Sequence, residues 1–121
     1  MKILFDHCVP RPLRRYFTGH LVETTAENGW QGLSNGRLLD AAEEAGFDVF
    51  LTVDGNLPYQ QNLSGRGIRL VVLEAANSRT PTLAPLVTSA LEILPTLIPG
   101  SVYRIQGALE RENRQAPEQE R

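Results

Sequence analysis

Two short, continuous apolar runs constrain the fold of this chain more than any other feature of its sequence. They span residues 49–53 and 68–73, and each contains a single polar side chain, Thr52 in the first and Arg69 in the second. Continuous rather than alternating hydrophobicity is typical of strands buried on both faces, as in a parallel sheet that helices cover on both sides. The chain is therefore expected to fold around such a sheet.

Two shorter helical patterns alternate with predicted strands. Residues 10–17 predict a short helix, with a proline in its first turn, where backbone N–H groups have no partner. A second helix is expected to start with Ser34 or Asn35 as its N-cap, where a side-chain oxygen would accept a free backbone N–H. Apolar residues then recur at helical spacing up to Gly46, which sits where a helix C-cap belongs.

The longest helix has the clearest periodicity. Its apolar residues recur at spacings of three and four: Leu83, Leu86, Val87, Ala90, Leu91 and Leu94. Because Pro85 has no N–H to donate, it is expected in the first turn, which places the N-cap near Thr82. Pro95 is expected to end the helix.

The order of elements predicts the fold class. Further short strands are expected at residues 3–5, 20–24 and 102–105. The resulting order favours a three-layer α/β/α domain with a mostly parallel central sheet of about five strands. At 121 residues the chain is long enough for one domain. We assign residues 1–106 to that domain and residues 107–121 to a disordered tail, in which Leu109 is the only large apolar side chain.

Charge and composition exclude some functions. The formal net charge of −2 argues against a globally basic, duplex-coating nucleic-acid binder. A single cysteine, Cys8, rules out an intrachain disulfide and suits a reducing compartment. The N-terminal apolar stretch is too short for a secretory signal, and no run of about 18 apolar residues exists. A soluble, cytoplasmic location is the expectation.

Two aspartates stand at predicted strand ends. Asp6 directly follows the first strand, and Asp54 follows the run at residues 49–53. In such sheets ligands gather at the carboxyl ends of the strands, so both carboxylates are candidates to share a divalent cation, Mg²⁺ or Mn²⁺. Such an ion polarises a phosphodiester and activates water. Read singly, Asp6 is equally well a helix cap and Asp54 a turn residue.

Polar residues near these aspartates are candidates for the same site. Asn35 and Asn56 carry amide oxygens that suit a hard cation, although N-cap and turn roles explain them as well. Four further residues are candidate substrate contacts: Arg11, Arg14, Tyr59 and Gln60. The arginines suit phosphate, and the tyrosine and glutamine suit stacking and hydrogen bonds to single-stranded RNA. Solvated surface roles are the alternative for all four.

Three segments together resemble a known family. They are the start Lys-Ile-Leu-Phe-Asp (residues 2–6), the helix opening Ser-Asn-Gly (34–36) and the strand end Leu-Thr-Val-Asp (51–54). Their order and spacing are similar to those of short bacterial PIN-like proteins, which are related to the PIN-domain toxins of toxin–antitoxin pairs. The likeness covers residues 1–73 by motif and extends to about residue 105 by element order.

The resemblance implies a metal-dependent endoribonuclease, the toxin of a toxin–antitoxin pair. Asp6 and Asp54 would hold the ion, while Asn35 and Asn56 would position water or substrate. The implied partners are an RNA substrate and a small antitoxin protein, with no membrane; a homodimer is compatible with this interpretation. Related sequences place acids where this chain has the two asparagines.

Two alternatives remain open. A binding module for a partner protein or RNA would keep the fold without the full set of acids, as Asn35 and Asn56 suggest. A receiver-like phosphoacceptor would place its acceptor at Asp54. That class carries paired acids after its first strand and a lysine after its fifth, whereas here His7 follows Asp6 and Lys2 is the only lysine.

Overall fold

A five-stranded sheet in which all neighbouring strands run parallel forms the centre of the molecule. The structure, a computed structural model, describes residues 1–107. The strands are β1 (Lys2–Phe5), β2 (Leu21–Thr24), β3 (Val49–Thr52), β4 (Arg69–Glu74) and β5 (Val102–Gln106). Their order in the sheet is β2-β1-β3-β4-β5. The prediction of a parallel sheet of about five strands is confirmed.

Helices connect successive strands. The α-helices are α1 (Asn35–Glu44), α2 (Leu57–Gln60) and α3 (Thr80–Ile93), and two 3₁₀ helices span Arg11–Tyr16 and Leu94–Thr96. The predicted helix at residues 10–17 is thus a 3₁₀ helix. Residues 57–63 are rich in amide side chains, and the sequence predicts a compact polar connection there with a helix as an option; the structure has the short α2 in it.

Apolar side chains cover the sheet on both faces, as the two continuous runs predict. On one face, Phe5 packs in a cluster with Leu83 of α3. On the other face, Phe50 packs with Leu39 of α1 and Leu57 of α2. Because alternate residues of β1 and β3 face opposite clusters, neither face of the sheet is left to solvent. The result is an α/β fold with helices in two outer layers.

The start of α3 differs from the prediction. The helix begins at Thr80 with Arg79 as its N-cap, rather than near Thr82. Pro81 occupies the first turn, the position assigned to Pro85, and Pro85 lies inside the helix. With two prolines four residues apart, only one can take the first-turn position. The second interrupts the hydrogen-bond ladder, a cost that burial of the apolar residues of α3 offsets.

Two predictions about α1 had different outcomes. Ser34 is its N-cap residue, but the Ser34 side chain makes no capping hydrogen bond, so the proposed capping interaction was wrong. Gly46 has a positive φ of 85°, and its N–H donates to the carbonyl of Glu43. Glycine adopts this backbone conformation without strain, as expected directly after a helix.

The end of the described chain stays attached to the sheet. Gly107 donates its backbone N–H to the carbonyl of Glu74 at 3.0 Å. The rest of the predicted tail, residues 108–121, lies outside the described residues. No helix within residues 1–107 is long and apolar enough to cross a membrane.

The interior position of Pro85 generates a stability prediction. Pro85→Ala restores an N–H that can donate to the carbonyl four residues earlier, and alanine is much the better helix former. Alanine also leaves the unfolded chain more flexible than proline does, which partly offsets this gain. We therefore expect the free energy of unfolding to rise by about 2 kcal/mol in urea titrations. Pro81→Ala is the matched control and should change it by less than about 1 kcal/mol. Equal effects of the two substitutions would contradict this account.

Candidate functional site

Neighbouring strands bring the two predicted aspartates to the same edge of the sheet. β1 pairs with β3 so that Phe5 lies opposite Leu51. The Asp6 N–H donates to the Leu51 carbonyl at 2.9 Å, which extends the pairing by one step. The sheet order also reverses at β1, since β2 lies on one side of it and β3 on the other. Ligands of doubly wound sheets bind at this type of position.

The hydroxyl group of Thr52 links the two aspartates. Thr52 is 0% exposed; its Oγ1 donates to Asp6 Oδ2 at 2.7 Å and accepts the Asp54 N–H at 3.0 Å. The hydroxyl thus uses its one hydrogen and one of its lone pairs, and Cys8 Sγ lies 3.7 Å from the same oxygen. Asp6 and Asp54 are therefore joined through Thr52 in one hydrogen-bonded group.

The carboxylate of Asp6 is buried and well supplied with donors. Asp6 is 2% exposed. Its Oδ1 accepts the His7 backbone N–H at 2.8 Å and lies 3.0 Å from His7 Nδ1, while Oδ2 accepts from Cys8 Sγ at 3.5 Å as well as from Thr52. A carboxylate offers about four lone-pair positions, so these contacts nearly saturate it. The His7 side chain is 70% exposed, however, and can move away without breaking the core.

The environment of Cys8 keeps its sulfur in the thiol form. Burial is the largest cause that raises the pKa of the Cys8 thiol above its ordinary value, and the charge of Asp6 raises it further. A thiol can donate to Asp6, whereas a thiolate could not. Cys8 thus serves as a donor to the buried carboxylate.

Asp54 is held by the turn that follows β3. Its Oδ1 accepts the backbone N–H of Asn56 at 2.9 Å, the turn-forming role considered as its alternative. Within residues 1–107, its Oδ2 accepts no hydrogen bond. Asp54 is half-buried, so this second oxygen is the more available of the two for a ligand.

The donor set fits a divalent ion held by few protein ligands. Within residues 1–107, no group of three or more His, Cys, Asp or Glu side chains is placed to hold a metal ion. Mg²⁺ needs only one or two carboxylates when waters and phosphate oxygens complete its shell. Asp6 and Asp54 supply that number of carboxylates, although Asp6 would have to exchange some of its present donors for an ion. These residues fit an ion that phosphate helps to bind.

The two asparagines lie at the same edge but in structural positions. Asn35 is the first residue of α1, and Asn56 is the N-cap residue of α2. Asn56 gives Asp54 its backbone N–H, and its side chain makes no capping hydrogen bond. The side chain of Gln61 lies beside Gly36, which places the end of α2 against the start of α1.

The two arginines predicted to contact substrate have different surroundings. Arg14 donates to both carboxylate oxygens of Glu27, at 3.0 and 2.8 Å, and to the Val22 carbonyl at 3.2 Å. The hydrogen bond from Arg14 is the main cause that lowers the pKa of Glu27 to about 2. Arg14 is therefore engaged in an ion pair. Arg11 is exposed and lines the same cleft as Asp6.

Tyr59 and Gln60 project from α2 into solvent. Tyr59 is 83% exposed, and Gln60 is exposed beside it. The guanidinium of Arg104 lies over the Tyr59 ring, 5.2 Å from its centroid. A cation over an aromatic face is a stabilising arrangement. The pair forms a surface next to the Asp54 turn.

Sequence reasoning missed Glu74 and Arg104, which lie next to the Asp54 turn. Arg104 of β5 donates to Glu74 Oε2 at 2.7 Å and to the Gly55 carbonyl at 3.0 Å. Glu74 is the last residue of β4, so it shows the same signal as Asp6 and Asp54, an acid at the end of an apolar run. Arg104 carries no comparable signal, because its contacts depend on how β5 pairs with β4.

The only lysine of the chain lies at the opposite edge of the sheet. Lys2 begins β1, and its Nζ donates to the Ala45 carbonyl at 2.8 Å. It is therefore far along β1 from the strand end where Asp6 lies. Lys2 therefore cannot serve as the lysine that a receiver-like role for Asp54 requires.

No protein-family model, curated protein or solved structure matches this chain.

Removal of the Thr52 hydroxyl should be costly. Thr52→Val keeps the shape but deprives the buried Asp6 carboxylate of a donor, and hydrogen bonds to charged groups contribute about 1.5–3 kcal/mol. We expect the free energy of unfolding to fall by that amount. Thr52→Ser keeps the hydroxyl and loses one methyl group, so it should cost only about 1 kcal/mol. A valine variant as stable as the serine variant in urea titrations would show that the Thr52 hydroxyl contributes nothing to stability.

Proposed function

We propose that this protein is a divalent-metal-dependent endoribonuclease of the PIN-like type. The observation that carries the proposal is the placement of Asp6 and Asp54 at the carboxyl ends of adjacent parallel strands, where the Thr52 hydroxyl donates to the Asp6 carboxylate and accepts the Asp54 backbone N–H. This is the position in a doubly wound sheet where ligands bind. The low number of protein ligands suits Mg²⁺ or Mn²⁺ with an RNA phosphate as additional donor.

The residues of the site have separate roles in the proposed reaction. The bound ion supplies polarisation of the phosphodiester and a water of lowered pKa. Asp6 and Asp54 hold it, and Thr52 keeps Asp6 oriented and fixes the backbone before Asp54. His7, which lies 3.0 Å from Asp6, is near enough to exchange a proton with groups bound there. Asn35 and Asn56 position water or substrate at the same edge.

Single-stranded RNA is the substrate that the surroundings suit. The exposed Tyr59 ring offers a stacking surface, and the Arg104 guanidinium, which is paired with Glu74, lies over the same ring. The net charge of the chain is −2, which disfavours an extended backbone-only interface. Recognition through a few stacked bases needs no globally basic surface.

The sequence resemblance to short bacterial PIN-like proteins supports a further part of the proposal. On that basis we propose that the protein acts as a cytoplasmic toxin whose partner is a small antitoxin protein.

The decisive test removes one carboxylate. Asp54→Asn keeps the turn but removes a charge that attracts the ion by several kcal/mol, so RNA cleavage with Mn²⁺ or Mg²⁺ should fall at least about a hundredfold. Asp40→Asn is the control, since that exposed acid of α1 pairs with Arg66 away from the site. Gel assays of purified protein on a defined RNA measure both rates. Cleavage that survives both EDTA and Asp54→Asn would rule the mechanism out.

A second variant tests the RNA surface. Tyr59→Ala should weaken binding of single-stranded RNA by about five- to a hundredfold, since stacking on an aromatic side chain is worth about 1–3 kcal/mol per base. Tyr16→Ala changes another exposed tyrosine, in the 3₁₀ helix Arg11–Tyr16, and should leave affinity unchanged. Fluorescence anisotropy with a labelled oligonucleotide gives the dissociation constants. Equal losses in the two variants would remove Tyr59 from the interface.

A non-catalytic binding module is the second candidate function. It is favoured by the near saturation of Asp6 with protein donors and by the asparagines at positions 35 and 56. A module of this type would bind RNA or a partner protein without metal-dependent turnover. RNA binding that is unaffected by Asp54→Asn, with no cleavage in Mn²⁺ or Mg²⁺, would favour it over the nuclease.

A further inference from the structure

The two outer strands of the sheet, β2 and β5, each have one side that no other strand within residues 1–107 pairs with. In β2, Leu21 and Thr25 direct their N–H groups to carbonyls on the β1 side. Because the backbone groups of successive strand residues alternate in direction, those of Val22 and Thr24 point to the free side. The free sides of β2 and β5 differ in what occupies such groups.

Side chains close the free side of β2. The Val22 carbonyl accepts from Arg14 at 3.2 Å. The Thr24 N–H donates to Glu27 at 2.9 Å, and the Thr24 carbonyl accepts from Asn28 at 3.0 Å. Natural sheets avoid unwanted pairing by covering their edges in this way. β2 is therefore closed to an incoming strand.

The free side of β5, which we call the β5 edge, is open. At the two ends of this strand, Leu70 donates its N–H to the Ser101 carbonyl, and Gly107 donates its N–H to the Glu74 carbonyl. The odd-numbered residues of β5 thus face β4, and the even-numbered residues point their backbone groups outward. Within residues 1–107, these outward groups have no hydrogen-bond partner; they belong to Val102, Arg104 and Gln106.

Apolar side chains are exposed on both faces of the sheet at the β5 edge. Val102 is 40% exposed and pairs with Leu70, on the face that α1 and α2 cover. Tyr103 is 42% exposed and pairs with Val71, on the face that α3 covers. Ile98, in the turn before β5, is 69% exposed. Exposed apolar groups beside an open strand mark an interaction surface.

Charge does not guard the β5 edge. Arg104 is the only charged residue of β5. Its guanidinium donates to Glu74 and to the Gly55 carbonyl, so it reaches across β4 toward the end of β3 and away from the edge. The flanking helix α3 carries a single charged residue, Glu92, which is exposed and can stay in solvent. An approaching copy of this surface therefore meets little uncompensated charge.

We propose that the β5 edge pairs antiparallel with the β5 edge of a second copy of this chain, around a two-fold axis at Arg104. In this register Arg104 lies opposite Arg104 of the second copy, and Val102 lies opposite Gln106 of the second copy. All three outward residues then exchange backbone hydrogen bonds. Because α3 packs on both β4 and β5, the two α3 helices would lie about 10 Å apart, a normal distance for packed helices.

The closed β2 edge favours a second copy as the occupant. A sheet with two open edges would add copies head to tail and form a filament, whereas one open edge allows only a closed pair. The contact is small, since a five-residue strand is about 17 Å long. We therefore expect a dissociation constant of about 1–100 μM, as for interfaces at the low end of the size range. The inference rests on the two sheet edges and goes beyond the proposed nuclease function.

Sedimentation velocity of the full chain, from about 1 μM to 1 mM, tests the proposal. It is done in EDTA without RNA, so its outcome is independent of the nuclease proposal. We expect the mass to rise from that of one chain to that of two and to stop there. The mass of one chain at about 1 mM would overturn the proposal and leave the β5 edge to a strand of a different protein. Growth beyond two chains would also overturn it.

A lysine on each outer strand locates the interface. Val102→Lys places a charge on the β5 edge and should weaken the dimer at least about tenfold. Leu21→Lys is the matched control, because Leu21 is 56% exposed on β2, and it should leave the dimer unchanged. Circular dichroism checks that both variants fold. Equal losses of affinity in the two variants would overturn the assignment to β5.

Amide hydrogen exchange of the unmodified protein gives a signature of strand pairing. Above the dissociation constant, the amides of Val102, Arg104 and Gln106 should exchange at least about tenfold more slowly than below it. The amides of Tyr103 and Ile105 already face β4 and should change much less. A dimer without this alternation along β5 would contradict the proposed pairing.

Discussion

The buried carboxylate of Asp6 is the group on which the rest of the carboxyl edge depends. A charge that is only 2% exposed must be compensated by donors, and four protein groups surround it within hydrogen-bond reach. Those donors come from two chain segments, the residues directly after Asp6 and the end of β3. The Thr52 hydrogen bonds therefore tie this one carboxylate, at the end of β1, to the end of β3 and to the start of the Asp54 turn.

The same contacts set a balance between stability and ligand binding. Donors that stabilise Asp6 in the free protein compete with any cation for the same lone pairs. Asp54 differs, because one of its oxygens serves the turn and the other accepts no hydrogen bond within residues 1–107. A pair in which one acid is shielded and the other is available suits a ligand that brings its own donors and acceptors, as a phosphate with its ion would.

The sequence predicted what depends on local pattern and missed what depends on how strands pair. Continuous apolar runs identified the parallel sheet, and the ends of two predicted strands, at residues 3–5 and 49–53, located Asp6 and Asp54. Thr52 lay within a predicted strand, but its role follows from the register between β1 and β3, which no local pattern contains. The start of α3 was misplaced because Pro81 and Pro85 both satisfy the rule for a first-turn proline, and only tertiary packing chooses between them.

The contact between Arg104 and the Gly55 carbonyl has a consequence for the order in which the protein matures. The motif around Asp54 is complete by Asn56, yet the arginine that braces its turn lies 49 positions beyond Gly55, on the last strand of the sheet. During synthesis from the N-terminus, that strand is the last to emerge. A nascent chain thus carries both aspartates well before the turn that holds one of them is secured.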